Sequence, residues 1–509
     1  PMTVRKEVEM CGRCHARRGV ISEAFVPGQT LSDSHQVALI SRGLYQPDGQ
    51  MLDEVYNYGS FKQSKMFAAG VTCSDCHDPH SAKLRAPGGE VCLQCHASSY
   101  EEPSHTHHEG ANAPDCISCH MPAREFMVID TRHDHAFRVP RPDLSMKLGV
   151  DNTCTDCHSD KPAKWAAAAI EDRYGPERKG YQSFGPAFHA AWTGTSDAAA
   201  LLAAVAEDEA APSFVRASAL EELTAYPSPR TAGAVRAGLS DPDPMMRLAA
   251  LDHLETASGA QLWPLISTLL DDPVHGVRTR AGFLLAGTPE ADLSDADRAR
   301  LDAAEKAFVD SQVLNADRPE SQSLLARYYI RKGALEKAET AYRTALDLSP
   351  HFTPAAVNLA DLYRAQGRDD DGMAVLRAAL RLSPNDGGLH HALGLALVRL
   401  KKPDEAVKEL GRAAELEPDR ARYLYVYAVG LDSIGRRGEA IAVLRSGLDR
   451  HPDNPEILTG LVNFSRAEGD LTAALDFAQR LAKADPANQN IKKLIEALTK
   501  QVMEQTGAQ

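Results

Sequence analysis

The sequence predicts a mostly α-helical chain built in two styles: a loop-rich, cysteine-rich first third, then an α-solenoid of helical repeats. Three observations predict this. All ten cysteines lie between Cys11 and Cys157, in five copies of one short motif. From about residue 196, alanine- and leucine-rich segments recur every 31 residues. From about 319 a stronger period of 34 replaces it, and fixed periods of this length are the mark of stacked helical hairpins. A length of 509 residues calls for several domains. The boundaries read as 1–165, a connector 166–195, repeats 196–290, a connecting helix 291–318, repeats 319–488 and a closing helix and tail 489–509.

The first segment is defined by Cys-x-x-Cys-His, which occurs as CGRCH at 11–15, CSDCH at 73–77, CLQCH at 92–96, CISCH at 116–120 and CTDCH at 154–158. Two thiols one helical turn apart reach the two vinyl groups of one porphyrin, and the adjacent imidazole falls under the ring, so this is the attachment signature of haem c. Disulfides require no histidine after each pair. Zinc knuckles would use the pairs two by two, and five is odd. With 19 histidines in 509 residues, five such coincidences have odds on the order of one in ten million. The reading is five covalent haems on Cys11 and Cys14, Cys73 and Cys76, Cys92 and Cys95, Cys116 and Cys119, and Cys154 and Cys157. The proximal iron ligands are then His15, His77, His96, His120 and His158.

Seven further histidines share this stretch and compete for the distal iron positions. His35, His80 and His135 come first, then one or two of His105, His107 and His108, then His133. For any one of them the alternatives are a propionate hydrogen bond or a ligand to another haem. Met10, Met51, Met66, Met121, Met127 and Met146 are also near; methionine opposite histidine raises the potential relative to paired histidines. Seven spare histidines for five irons favour bis-histidine haems of low potential, with the methionines packed on porphyrin faces. About 160 residues leave little side-chain core beside five porphyrins, so loops are expected to wrap the haems. The longest motif-free interval, 16–72, concentrates Tyr45, Tyr56, Tyr58, Phe61 and Phe67 with Arg42, Lys62 and Lys65. These read as aromatics filling a core around the haems, or as the lining of a substrate pocket.

Formal charge is −14, and residues 1–160 carry 15 Lys and Arg against 21 Asp and Glu. That balance disfavours a nucleic-acid surface and suits a basic protein partner. No apolar run approaches the roughly 20 residues of a membrane span. Haem c is attached outside the cytoplasm, so the chain is expected to be exported, to the periplasm or the cell exterior, and its start at Pro1-Met2-Thr3 reads as processed or cropped. Haems encoded further upstream fit that expectation.

The phrases FKQSKMFAAGVTCSDCHDPH and CISCHMP resemble multihaem cytochromes related to cytochrome c nitrite reductase and the hydroxylamine-oxidation cytochromes. More closely, haem motifs followed by HDHAFRVPRPDLS and helical repeats resemble bacterial tetratricopeptide-repeat multihaem cytochromes, over essentially the whole chain. In that family further haem motifs often precede this part. Two departures matter. The Cys-x-x-Cys-Lys motif that marks the catalytic haem of such nitrite reductases is absent, and nothing identifies the cross-linked tyrosine of hydroxylamine oxidation. The resemblance therefore does not imply enzyme activity.

Beyond the haem motifs, Lys161 to Tyr174 reads as a helix stopped by Gly175-Pro176, and Glu177 to Thr195 as a Gly- and Pro-punctuated connector in which His189 and Trp192 are candidates to cap a haem. Arg216, Arg247 and Arg278 keep the period of 31, as do Ala219, Ala250 and Ala281, in phrases that resemble HEAT repeats. Ser294 to Asp297 has capping-box spacing and opens a helix to about Val313. Pro350, Pro384, Pro418, Pro452 and Pro486 keep the tetratricopeptide period; Gly333, Gly367, Gly435 and Gly469 share one register with Lys401 in the missing place. Ala338, Gly372, Ala406, Ala440 and Ala474 let paired helices approach closely.

Function reads first as electron transfer through closely packed haems with redox partner proteins, the repeats either docking a partner or serving as scaffold that covers the haem module or joins copies of it. The alternative is an oxidoreductase acting on a small nitrogen or sulfur oxyanion at one open haem. A structural role, in which the repeats drive self-association into a filament, is compatible with the first.

Overall fold

The structure is a computed structural model that describes residues 4–507 apart from 82, 111–112, 177–181, 256 and 485–487. The beginning of the 177–195 connector and Pro486 lie outside the described residues. The chain forms two compact units, Pro1–Trp192 with Ala198–Leu314, and Asn315–Gln509 with Thr193–Asp197. Among the described residues no helix is long and apolar enough to cross a membrane.

The first unit opens with helix Val4–His15, whose last turn is CGRCH, followed by a short antiparallel pair in which Arg18 lies opposite Val37 and Val20 opposite His35. This opening stretch is folded onto helices that come two hundred residues later. The Tyr45 ring meets the edge of Phe214 at 6.2 Å, and the Ile40 N–H donates to Ser218 Oγ at 3.0 Å. Asp33 Oδ1 accepts from the His275 N–H at 2.7 Å and so caps helix His275–Leu285 from outside its own segment. The next residue is Gly276 because a Cβ there would collide with the Ser32 carbonyl oxygen.

The period of 31 has a physical cause. Arg216 pairs with Asp241 at 3.1 Å and Arg247 with Asp272 at 2.7 Å, each arginine reaching 25 residues ahead to the loop of the next hairpin. The second pair is buried and the first half-buried, and Ala219, Ala250 and Ala281 are fully buried. Ser294 Oγ accepts from the Asp297 N–H, opening helix Asp295–Val313 as its spacing predicts. One element differs from the sequence reading: Gly185–Thr193, inside the expected connector, is helical. Phe184, Phe188 and Trp192 recur every four residues, the first two edge to face at 5.9 Å and the last two tilted at 6.0 Å, and Phe188 is completely buried. Tertiary burial of that stripe outweighs the local Gly and Pro signals.

The second unit consists of five helical hairpins, from Pro319–Arg331 with Leu335–Leu348 to Pro455–Glu468 with Leu471–Ala484, and a last helix Gln489–Thr506. Ala338, Ala406, Ala440 and Ala474 are wholly buried where paired helices meet. Ile491 and Leu498 of the last helix join the apolar core that runs from Val407 through Leu444, Leu461 and Phe477. The positive φ at Gly333, Gly367, Gly435 and Gly469 is kept by Lys401, at 56°.

Candidate haem-binding region

The second, fourth and fifth motifs each sit on a short turn started by a side-chain cap, whereas the third ends an uncapped 3-10 segment, Gly88–Gln94. Thr72 and Asp75 form a capping box for CSDC, the Asp115 side chain accepts from the Ser118 N–H at CISCH, and Asn152 does the same for Thr155 at CTDC. A single capped turn is enough to put two cysteines three residues apart on one face. None of the ten cysteines is joined to another in a disulfide.

The motifs also neighbour one another in chain order. Glu7, in the helix of the first motif, accepts from the Ser74 N–H and Oγ of the second, at 2.8 and 3.0 Å. The Cys11 and Cys73 side chains are close enough to perturb each other, Cys73 lowering Cys11 to about 7 and Cys11, with burial, raising Cys73. A Cβ at Gly89, beside the third motif, would lie 3.7 Å from Cys116 Sγ of the fourth. Thr153 Oγ1, at the fifth, donates to the Ser118 carbonyl at 2.6 Å.

Three of the five proximal imidazoles face a second imidazole. The ring centroids of His77 and His135 are 6.3 Å apart with planes 24° from parallel. His120 and His105 are 6.2 Å apart at 11°, and His158 and His108 are 5.9 Å apart at 28°. Face-to-face contact of two small rings would bring their atoms to about 3.5–4 Å. Metal–imidazole bonds of about 2 Å on each side of one ion put two ring centres about 6 Å apart, so these pairs fit a shared iron.

The outer nitrogens support the same fit. His120 Nδ1 donates to the Arg138 carbonyl at 2.7 Å, His135 Nδ1 to that of His133 at 2.8 Å, and His108 Nδ1 to that of Thr106 at 2.6 Å. A carbonyl only accepts, so Nδ1 carries the proton and Nε2 presents its lone pair; this is the orientation metal-bound imidazoles adopt. Burial pushes the pKa of both His120 and His135 down, keeping that lone pair available.

The remaining candidates are placed differently. His15 and His96 are exposed. His96 has the edge of Tyr100 at 6.1 Å, and Tyr100 in turn meets His105 edge-on at 4.9 Å. His35 is buried with Nδ1 on Ser34 Oγ at 2.8 Å, and desolvation, with Arg18 and Arg13 nearby, holds it down at about 4. His80 is exposed on a turn whose N–H donates to Asp78. His133 Nδ1 donates to the Met121 carbonyl at 2.9 Å. His107 turns its Nε2 to the Tyr174 hydroxyl at 2.8 Å. Among the described residues none of these six faces a second imidazole in the manner of the three pairs.

The aromatic cluster of the 16–72 interval closes into core. Tyr45, Tyr58 and Phe61 are buried, and Lys62 is sealed with Glu9, Nζ to Oε1 3.3 Å, under the Tyr58 hydroxyl. Lys62 therefore lines no open pocket. Sequence reasoning passed over Trp165, whose ring lies 4.8 Å from that of His158, and over Tyr174. Both follow the last motif on helix Ala163–Tyr174, and their spacing carried no signal.

Comparison with known proteins separates the same two parts. A family model described as a doubled CXXCH motif matches residues 65–100. Two models of the tetratricopeptide repeat match residues 329–393 and 435–498, and 290–351 and 391–431. The chain is similar to the protein O-mannosyl-transferase TMTC3 of Homo sapiens, 30% identical over 122 residues, which is 23% of this chain and 13% of that protein. It is also similar to the peroxisomal targeting signal receptor of Saccharomyces cerevisiae, 27% identical over 148 residues, 26% of this chain and 23% of that one. It thus spans less than a quarter of the length of either relative. Among solved structures it resembles YrrB, a TPR protein with an unusual peptide-binding site, at 20% identity, TM-score 0.30, over 37% of this chain and 98% of that chain. MamA gives 19%, 0.29, 32% and 95%. The chain carries a doubled CXXCH motif of the haem-binding kind and a tetratricopeptide-repeat solenoid, a module for protein–protein interaction.

Proposed function

We propose that the chain is a multihaem c-type cytochrome whose work is electron transfer, with five covalent haems and the repeats as its docking or self-association surface. The observation that carries this is the set of three facing imidazole pairs. His77 with His135, His120 with His105, and His158 with His108 are assigned as axial pairs, and the ten motif cysteines as the attachment points. A bound haem supplies a one-electron iron couple whose potential follows its axial ligands and burial.

The protein's contribution is holding and orienting. Capped turns present the thiols, backbone carbonyls fix each ligand tautomer, and contiguous motifs keep successive attachment sites close. The acidic balance of the haem region favours a basic redox partner, and export from the cytoplasm belongs to this proposal. So does kinship with the nitrite-reducing and hydroxylamine-oxidising cytochromes, which the quoted phrases support.

The test is absorbance and EPR spectroscopy of the purified protein. Pyridine haemochrome should give five haems per chain, and EPR should show low-spin, bis-imidazole iron in at least three of them. Fewer haems, or fewer than three low-spin irons with a high-spin population that binds cyanide, would overturn the assignment and favour the oxidoreductase reading.

A further inference from the structure

Two of the three facing pairs draw an imidazole from one short segment. His105 lies in helix Pro103–Thr106 and faces His120; His108, three residues on, faces His158. In an unbroken helix residues three apart share a face and would point at the same neighbour. The chain avoids this at His107, which is left-handed at φ 56°, ψ 23°. That residue ends the helix after one turn and sends His108 in a new direction. Its imidazole is then tied at Nε2 to the Tyr174 hydroxyl, at the end of the helix that also carries Trp165 against His158.

We propose that His107 is not an iron ligand but, with Tyr174, a positioning latch that fixes how His105 and His108 are presented to their two irons at once. This rests on the axial pairing assigned above. The latch acts through ring orientation: the angle between two axial imidazole planes sets the anisotropy of the low-spin iron signal, and a segment released at its middle lets both rings turn. Tyr100, edge-on to His105, holds one side only. The effect of the latch is therefore distinguishable as a change in two haems together.

The experiment uses the full haem-loaded chain with Tyr174→Phe and, separately, His107→Asn, a side chain that tolerates the left-handed conformation. Haem content, EPR and potentiometric titration are read for each. The expected result is unchanged haem content, with two low-spin signals and two midpoint potentials displaced together and no new high-spin iron. If His107→Asn converts one haem to high spin, His107 is itself a ligand and the proposal falls. If neither variant moves any signal, the latch does not exist. His105→Ala and His108→Ala serve as controls, each expected to turn one haem high-spin. If neither does, the axial pairing has failed, an outcome separate from failure of the latch alone.

Discussion

The stretch from 66 to 165 and the second unit are held together by different means. Among the described residues, the first of these buries only six apolar side chains, Val91, Phe126, Ala136, Pro142, Leu144 and Val150. The second lays down an unbroken series, from Leu325 and Ala338 to Ile491 and Leu498. The opening residues 4–65 resemble the second unit in this respect, because Leu31, Ile40, Tyr45 and Phe61 are buried, Tyr45 directly against Phe214. Four of the five haem motifs thus sit where the polypeptide has least core of its own. Hydrophobic area is the main term that offsets chain entropy, so the missing area in 66–165 is what the porphyrins are expected to supply.

The largest expected effect follows directly. Chain produced without haem attachment should lose ordered structure across 66–165, seen as rapid proteolysis and fast amide exchange there, while 319–484 stays protected. Equal protection of both regions in the haem-free chain would break the comparison.

Next in size is the buried ion pair at the junction of the opening helix with the rest of its unit. Lys62→Met removes the ammonium group 3.3 Å from the Glu9 carboxylate, whose side chain is 4% exposed. Breaking such a pair from one side costs about 3–5 kcal/mol. Calorimetry should place that loss in the first unit alone, and replacing Glu9 and Lys62 together by apolar residues should recover most of it. In the second unit the corresponding lesion is a cavity. Leu461 is wholly buried, so Leu461→Ala should cost about 2–5 kcal/mol and leave the haem spectrum untouched.

A smaller effect depends on pH. Burial raises the pKa of Asp48 against the opposing pull of Arg138. The folded state therefore holds a proton that the unfolded state releases near about pH 4, and stability falls as pH rises from there through the folded value. Asp48→Asn removes this dependence. The stability of the variant should match the wild type below about pH 4 and exceed it increasingly above.

How much of this was legible in the sequence tracks the same contrast. Repeats are legible because each position has one local job: a proline that stops a helix, a small residue where helices touch, an arginine reaching the next loop. The five motifs were legible because covalent chemistry dictates their spacing. The distal candidates were legible only in part. His135, ranked among the first, faces His77, and two of His105, His107 and His108 face His120 and His158, but His35, ranked beside His135, is buried on Ser34. Which histidine meets which iron depends on where an irregular loop turns, here on the left-handed backbone at His107, and no periodicity encodes that. The helix Gly185–Thr193 was missed for a related reason, since burial against other segments decides it.

The smallest expected effect tests the repeat logic at its one exception. The hairpin turn that is glycine at 333, 367, 435 and 469 is lysine at 401, yet φ there stays at 56°. The geometry of the stacked hairpins is thus imposed on a residue whose Cβ disfavours it, at about 1–2 kcal/mol. Lys401→Gly relieves that strain but gives the unfolded chain more freedom, which offsets roughly 0.4–1 kcal/mol. The net should be a gain between about zero and about 1.6 kcal/mol in the second unit, with no change in the first. A loss instead would mean that the Lys401 side chain contributes a contact worth more than the strain, and the turn would then be a selected exception rather than a tolerated one.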